Sequence, residues 1–332
     1  MRHPRRRSLL WLAAPFLAVA SSSCHPSGKV THPRESQNDR LNGLFSRSRI
    51  VLTSDKKYGE VHIPFTLRDG GIYLKMIWVG RPVEALLDTG SEFTGWPQSL
   101  HLVGVKTGLP QEGDMAADVV THGEWTVLSS IKGGNCEWQD IPTVAAGEMK
   151  LAAPSKTTRL TLKTVTSPAP ILGASAFQNV VLTIDYHKKE IVIRSLAYDV
   201  ACLPRRPHDL LLKPEWLNGF LPVLHGSLRG RPARFGLDTG CSGMPISARF
   251  AERLPTSLHA GMTYMNINGS SVSVPRLKPL PGNLEGLHFI DYYPTATSIP
   301  TNVDALAGTG FLQTYRVTFD YSRGRILLQP YK

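Results

Sequence analysis

Cysteine is scarce in this chain: four in 332 residues, at spacings that fit no zinc-binding pattern. Its 11 histidines include no His-Glu-x-x-His, so neither a metal nor any other cofactor is expected. Charged residues make up only 19% against 42% hydrophobic ones, which excludes a disordered polyelectrolyte. Acidic residues are the scarcer sign, 26 against 37 basic. No Lys/Arg run interleaved with aromatics accompanies that excess, so no nucleic-acid partner is expected. Helical patterns are few as well. Glycine (29) and proline (25) are instead plentiful, which favours strands and turns.

Part of the positive charge sits at the N-terminus. Arg2, Arg5, Arg6 and Arg7 precede an apolar stretch from Ser8 to Ala20, and without residues 1–23 the balance is 33 basic to 26 acidic. A basic head and an apolar stretch too short to span a bilayer form the pattern of an export signal. Two processing sites compete. Ala18-Val19-Ala20 would release a soluble chain, whereas Ser22-Ser23-Cys24 resembles a lipobox that would leave Cys24 lipidated and anchor the protein to a membrane. Periplasmic, membrane-anchored and secreted locations all follow from one or the other. Residues 24–57 are mostly polar, with apolar side chains clustered only from Leu41 to Phe45 and from Ile50 to Leu52, and read as a linker. If Cys24 is removed or lipidated, Cys136, Cys202 and Cys241 allow three disulfide pairings.

The decisive feature is an internal repeat. Gly80-Arg81-Pro82 through Leu87-Asp88-Thr89-Gly90-Ser91 aligns without gaps on Gly230-Arg231-Pro232 through Leu237-Asp238-Thr239-Gly240-Cys241. Farther on, Ile171-Leu172-Gly173 matches Leu306-Ala307-Gly308, and Ile184-Asp185-Tyr186 matches Phe319-Asp320-Tyr321. The order of parts is the same in both copies. Strands are expected over Ile72–Val79 and Phe220–Leu228, with hairpins turning at His187-Lys188-Lys189 and Ser322-Arg323-Gly324. The best helix candidate is Ile246–Leu254, and Ala174–Asn179 reads as a single turn. The boundaries are therefore a signal peptide at 1–23, a linker at 24–57, a first lobe at 58–197, a connector at 198–214 and a second lobe at 215–332.

Two Asp-Thr-Gly units suggest a specific chemistry. Hydrolysing an amide with a free water requires a base and an acid, and two carboxylates about 3 Å apart, sharing one proton, supply both. Glycine lets the two loops approach closely, and a threonine hydroxyl can reach across to the opposite loop. Asp185 and Asp320 read as structural.

The doubled hydrophobic-Asp-Thr-Gly-Ser/Cys with the later Ile-Leu-Gly or Leu-Ala-Gly resembles the retropepsin-like aspartic peptidases. Gly-Arg-Pro and the Asp-Tyr strand are similar to bacterial members. The resemblance covers about residues 60–196 and 215–330. It implies an all-β chain of two homologous β-barrel lobes about a pseudo-twofold axis, with little helix and both copies in one monomer. It implies catalytic Asp88 and Asp238, supported by Thr89, Gly90, Ser91, Thr239, Gly240 and Cys241, and an extended peptide or protein as partner. Its flap hairpins have candidates in Val120–Glu124, including His122 and Gly123, and in Ile267–Ser270, where Asn268-Gly269 reads as a two-residue turn. It further implies that the Ser91 hydroxyl donates to Asp88, making Asp88 the more readily ionised partner and Asp238 the holder of the shared proton. Cys241 would donate poorly, or be half of a disulfide. Peptidase activity is the leading function, and a peptide-binding module without turnover is the rival.

Overall fold

Positive φ angles at Val79 and Gly80 (48°, 77°) and at Arg229 and Gly230 (49°, 74°) mark the same two-residue turn in each copy. In the computed structural model these turns join Gly71–Trp78 to Arg81–Asp88 and Leu221–Leu228 to Arg231–Leu237, as antiparallel pairs closing at Trp78–Arg81 and Leu228–Arg231. A two-residue turn with both central residues left-handed matches the twist of the flanking strands, and its second position favours the repeated glycine. The structure describes residues 37–115, 119–151, 169–254, 259–265, 271–291, 294–297, 299 and 302–331. The expected signal segment, Cys24 and the Asn268-Gly269 turn lie outside them.

Each Asp-Thr-Gly strand runs parallel to the later signature of its own copy. Leu86, Leu87 and Asp88 pair with Ile171, Leu172 and Gly173, and Phe235, Gly236 and Leu237 pair with Ala305, Leu306 and Ala307. The glycine ending that signature is a packing requirement. A Cβ at Gly173 would lie 2.3 Å from the Phe93 carbonyl oxygen, and one at Gly308 would lie 2.3 Å from those of Cys241 and Gly243. The conserved order of the two signatures is thus one contact made twice.

The lobes are joined by a shared sheet. Val181–Asp185 pairs antiparallel with Tyr315–Asp320 of the other copy, placing Thr183 directly opposite Thr318 with their hydroxyls 3.0 Å apart. Residues equivalent by sequence meet there, so the pseudo-twofold axis passes between them. Trp78, Trp138 and Phe177 are fully buried in the first lobe, as is Phe235 in the second. Asp185 accepts from the Tyr331 hydroxyl and the Lys188 amide, and Asp320 from Ser322 and Arg323, so both hold turns.

Three expectations need correction. Within the stretch read as a linker, Gln37–Phe45 is a helix and Arg49–Leu52 is a strand paired with Cys136–Gln139. The few apolar side chains there suffice: Ile50 and Leu52 pack on the core, and Phe45 stacks on Phe93 at 5.8 Å and meets Trp125 edge-on at 5.6 Å. The connector also supplies a strand, Leu210–Leu212, to the edge of the shared sheet beside Arg325–Pro330. The helix expected over Ile246–Leu254 is confined to Ala248–Ala251, where Ser247 accepts the Phe250 amide as N-cap. Among the described residues no helix is long and apolar enough to cross a membrane.

Candidate active site

The two Asp-Thr-Gly loops meet on the axis through a reciprocal exchange of hydrogen bonds. The Thr89 amide donates to the Thr239 hydroxyl oxygen (3.0 Å), and the Thr239 amide donates to that of Thr89 (3.1 Å). Each hydroxyl then donates onward into the opposite strand, Thr239 to Leu87 O at 2.9 Å and Thr89 to Leu237 O at 3.5 Å. Both threonines are fully buried, so every polar atom of the pair must be satisfied within the protein. A side chain with one acceptor and one donor on the same oxygen suits that requirement.

The glycines that follow bring the carboxyls together. A Cβ on Gly90 would lie 2.3 Å from Asp238 Cγ, and a Cβ on Gly240 would lie 2.4 Å from Asp88 Cγ. With no side chain in the way, the Gly90 amide donates to Asp88 Oδ1 (3.0 Å) and to Asp238 Oδ1 (3.2 Å) at once. Burial, the charge of Asp238 and a hydrogen bond between the two carboxyls hold Asp88 well above the usual carboxylate range. The pair behaves as one titrating unit.

The side-chain donors around the pair differ from the expected ones. Asp88 receives the Gly90 and Ser91 amides, both on Oδ1. Asp238 receives the Gly240 amide (2.7 Å) and the Gly90 amide on Oδ1, and the Cys241 thiol on Oδ2 at 3.0 Å. The Ser91 hydroxyl donates away from the site, to Phe93 O at 2.9 Å. The thiol thus faces Asp238, while burial and the neighbouring carboxyl hold Asp88 toward its protonated form. The expectation failed because a serine hydroxyl in a loop has a competing carbonyl within reach, whereas the thiol has the carboxylate. Burial and the neighbouring Asp238 push the Cys241 thiol well above its ordinary range, keeping it protonated as a donor. Cys136, Cys202 and Cys241 are all free, so none of the three disulfide pairings is formed.

The flap expectation also changes. Val105–Met115 and Val119–Gly133 form a long hairpin whose innermost pair is Met115–Val119. His122 and Gly123 lie within its second strand, opposite Glu112 and Gln111, and not at a turn. Gly123 sits where the register with the neighbouring strand shifts, and a Cβ there would meet Ala145 O at 2.8 Å. It is a bulge glycine, required for close backbone approach. In the second copy His259–Met265 pairs with Ser271–Arg276, flanking the Asn268-Gly269 segment.

Several residues at the site carry no motif. Tyr186 and Tyr321, related by the same 135-residue offset, have buried hydroxyls without a hydrogen-bond partner among the described residues. Burial raises both above the ordinary phenol range. The Tyr331 ring and then Asp238 add to this at Tyr186, and Asp88 and Asp238 add to it at Tyr321. The repeated Asp-Tyr is the signal that could have found them. Phe93, Trp125 and Phe45 form an aromatic cluster beside the Asp88 loop, with Phe93 and Trp125 at 4.5 Å. Among the described residues no group of His, Cys, Asp and Glu is arranged to hold a metal ion.

No family model and no curated protein matches this chain. Among solved structures it is similar to the aspartic proteinase from Irpex lacteus, with a TM-score of 0.51 at 13% identity, over 82% of this chain and 98% of that one. The match spans nearly the whole of the proteinase, and so shows that this chain has the all-β, two-lobed, pepsin-like fold.

Proposed function

We propose that this chain is an exported aspartic endopeptidase, of the retropepsin-like type with both halves in one chain, whose catalytic pair is Asp88 and Asp238. The observation that carries this reading is the pair of carboxyls bridged by one backbone amide on the axis between two lobes. In this reading Asp238, which receives the Gly240 and Gly90 amides and the Cys241 thiol, takes a proton from the attacking water. Asp88 gives its proton to the carbonyl oxygen of the scissile amide. The resulting tetrahedral diol collapses with transfer of a proton to the departing nitrogen. An extended peptide lies across the loops, under the hairpin of Val105–Met115 and Val119–Gly133. The fold shared with an aspartic proteinase supports the reaction class.

The test is a peptide-library digest from about pH 3 to about pH 7, comparing the native chain with Asp88→Asn. Bell-shaped activity with an acid-side optimum, unaffected by chelators and blocked by statine-type mimics, is the expected result. Peptide binding without any cleavage would favour the binding-module reading.

Cys241 gives a finer check. Cys241→Ser replaces a weak donor by a stronger one facing Asp238 Oδ2, and should move the acidic limb of the rate profile to lower pH. Cys241→Ala removes the donor and should move that limb upward. Identical limbs in all three proteins would show that the thiol does not act on Asp238.

For location, the export reading expects the mature chain in the cell envelope or the medium. Cys24→Ser should release it from membranes under the lipobox alternative and leave it unchanged under cleavage after Ala20. Intact precursor in the cytoplasm would contradict export altogether.

A further inference from the structure

The second copy leaves open a sheet edge that the first copy covers. Ile77 pairs with Lys132, and Ser227, its counterpart in the repeat, pairs with Asn283. The hairpins that follow close in the same way, at Gly133–Cys136 and at Leu284–Leu287. Strand Leu287–Asp291 is therefore the counterpart of the strand that begins at Cys136. In the first copy Arg49–Leu52 lies along the outer edge of that strand, with Leu52 opposite Cys136 and Ile50 opposite Trp138. In the second copy Leu287–Asp291 ends its sheet, and no strand among the described residues pairs with its outer edge. The stretch upstream of the second copy lies elsewhere, as a single turn at Val200–Cys202 and as Leu210–Leu212 on Arg325–Pro330.

A two-residue hairpin closes on a pair that exchanges both backbone hydrogen bonds, and such pairs alternate along an antiparallel ladder. Leu287, Phe289 and Asp291 thus bond inward to Leu280–Leu284. His288 and Ile290 turn their N–H and C=O groups outward, as Glu137 and Gln139 do toward Val51 and Arg49. The side chains register the missing cover. Cys136 and Trp138 are fully buried, whereas Leu287 and Phe289 are half-buried and Ile290 is 53% exposed. Nothing blunts the edge, since Leu-His-Phe-Ile-Asp holds no lysine, proline or bulge.

We infer that Leu287–Asp291 is a homodimer interface, at which two copies of this chain pair antiparallel and join their second-lobe sheets. The edge is complementary to itself. A twofold axis at Phe289 places His288 of each chain opposite Ile290 of the other, so every outward backbone group of the strand meets a partner. The two Phe289 residues then face each other at a position without backbone hydrogen bonds, where side chains come closest. Leu287 faces Asp291, and no like charges are opposed. That symmetry about Phe289 favours a second copy over an unrelated extended segment, which would not require it.

The test reads mass and register, and needs no turnover. Sedimentation velocity on the whole chain, from about 1 to about 100 μM, should show the mass rising to twice that of one chain. Ile290→Pro removes only an outward N–H, which an edge strand tolerates, and should leave a single-chain mass at every concentration. Its melt at the lowest concentration should match the native one. Register is read by oxidation in a chain carrying Cys24→Ser and Cys202→Ser, to which His288→Cys or Ile290→Cys is added. An equimolar mixture of the two should form an intermolecular disulfide, because the Cα atoms of a hydrogen-bonded pair lie about 5.5 Å apart. Either variant alone should not, because like positions then lie diagonally, beyond disulfide reach. A single-chain mass for the native protein throughout, a doubled mass that survives Ile290→Pro, or a mixture that cross-links no better than its components would each overturn the inference.

Discussion

Asp88→Asn and Asp238→Asn are each expected to lower turnover by about a thousandfold or more, and the double variant should be little worse than either alone. The two carboxyls share donors and a proton, so neither half performs its step without the other. Single-turnover rates on one peptide, measured for all three variants, check this. Either single variant keeping a tenth of the native rate would break the one-site model.

The same substitution carries a second expected result, on stability. Asp88 is raised in the folded state by burial and by Asp238. The stability of its protonated form is fully present below its unfolded value, about 3.9, and is lost as pH rises through the folded value. Asparagine at position 88 cannot ionise and escapes that loss. Asp88→Asn should therefore melt with the native protein near the acid end and several degrees above it near neutrality. A variant that is inactive but no more stable at neutral pH would show that Asp88 is not held protonated.

Gly90→Ala and Gly240→Ala should be nearly as damaging as loss of a carboxyl, by a different route. Each new methyl would be driven to within 2.3 Å or 2.4 Å of the opposite lobe's carboxyl carbon. Real Cβ atoms do not approach so closely, so the loops must separate. Separation strains the threonine exchange at 3.0 and 3.1 Å and removes the amide shared by both aspartates. Overpacking of this kind costs about 1–3 kcal/mol, and each buried group left unpaired adds a similar amount. The expected outcome is a fall of several degrees or more in Tm together with about a hundredfold or greater loss of activity. Gly43→Ala is the matched control, because nothing lies within 4 Å of that position in the Gln37–Phe45 helix. Were Gly90→Ala to behave like Gly43→Ala, the close approach of the lobes would be wrong.

The gapless alignment of Gly80–Ser91 on Gly230–Cys241 was enough to establish a doubled, strand-rich chain and to single out two aspartates. Such features are legible because they are local. A strand, a left-handed turn and a loop that must stay narrow each demand particular residues at fixed spacing. The second half of the linker was misread for the complementary reason. Arg49–Leu52 is a strand only because the edge at Cys136–Gln139, more than eighty residues away, is free to pair with it. Val120–Glu124 was read as a whole flap hairpin because glycine serves turns and bulges alike, and only the partner strand distinguishes them. The donors to the carboxylates were likewise beyond the sequence: Ser91 turned to Phe93 while Cys241 turned to Asp238. Residue order determined the repeat, the two aspartates and the glycines that bring them together. Only the tertiary structure decided that Val181–Asp185 pairs with Tyr315–Asp320 of the other copy and that Cys241 reaches Asp238, because strand and hydrogen-bond partners are set by residues distant along the chain.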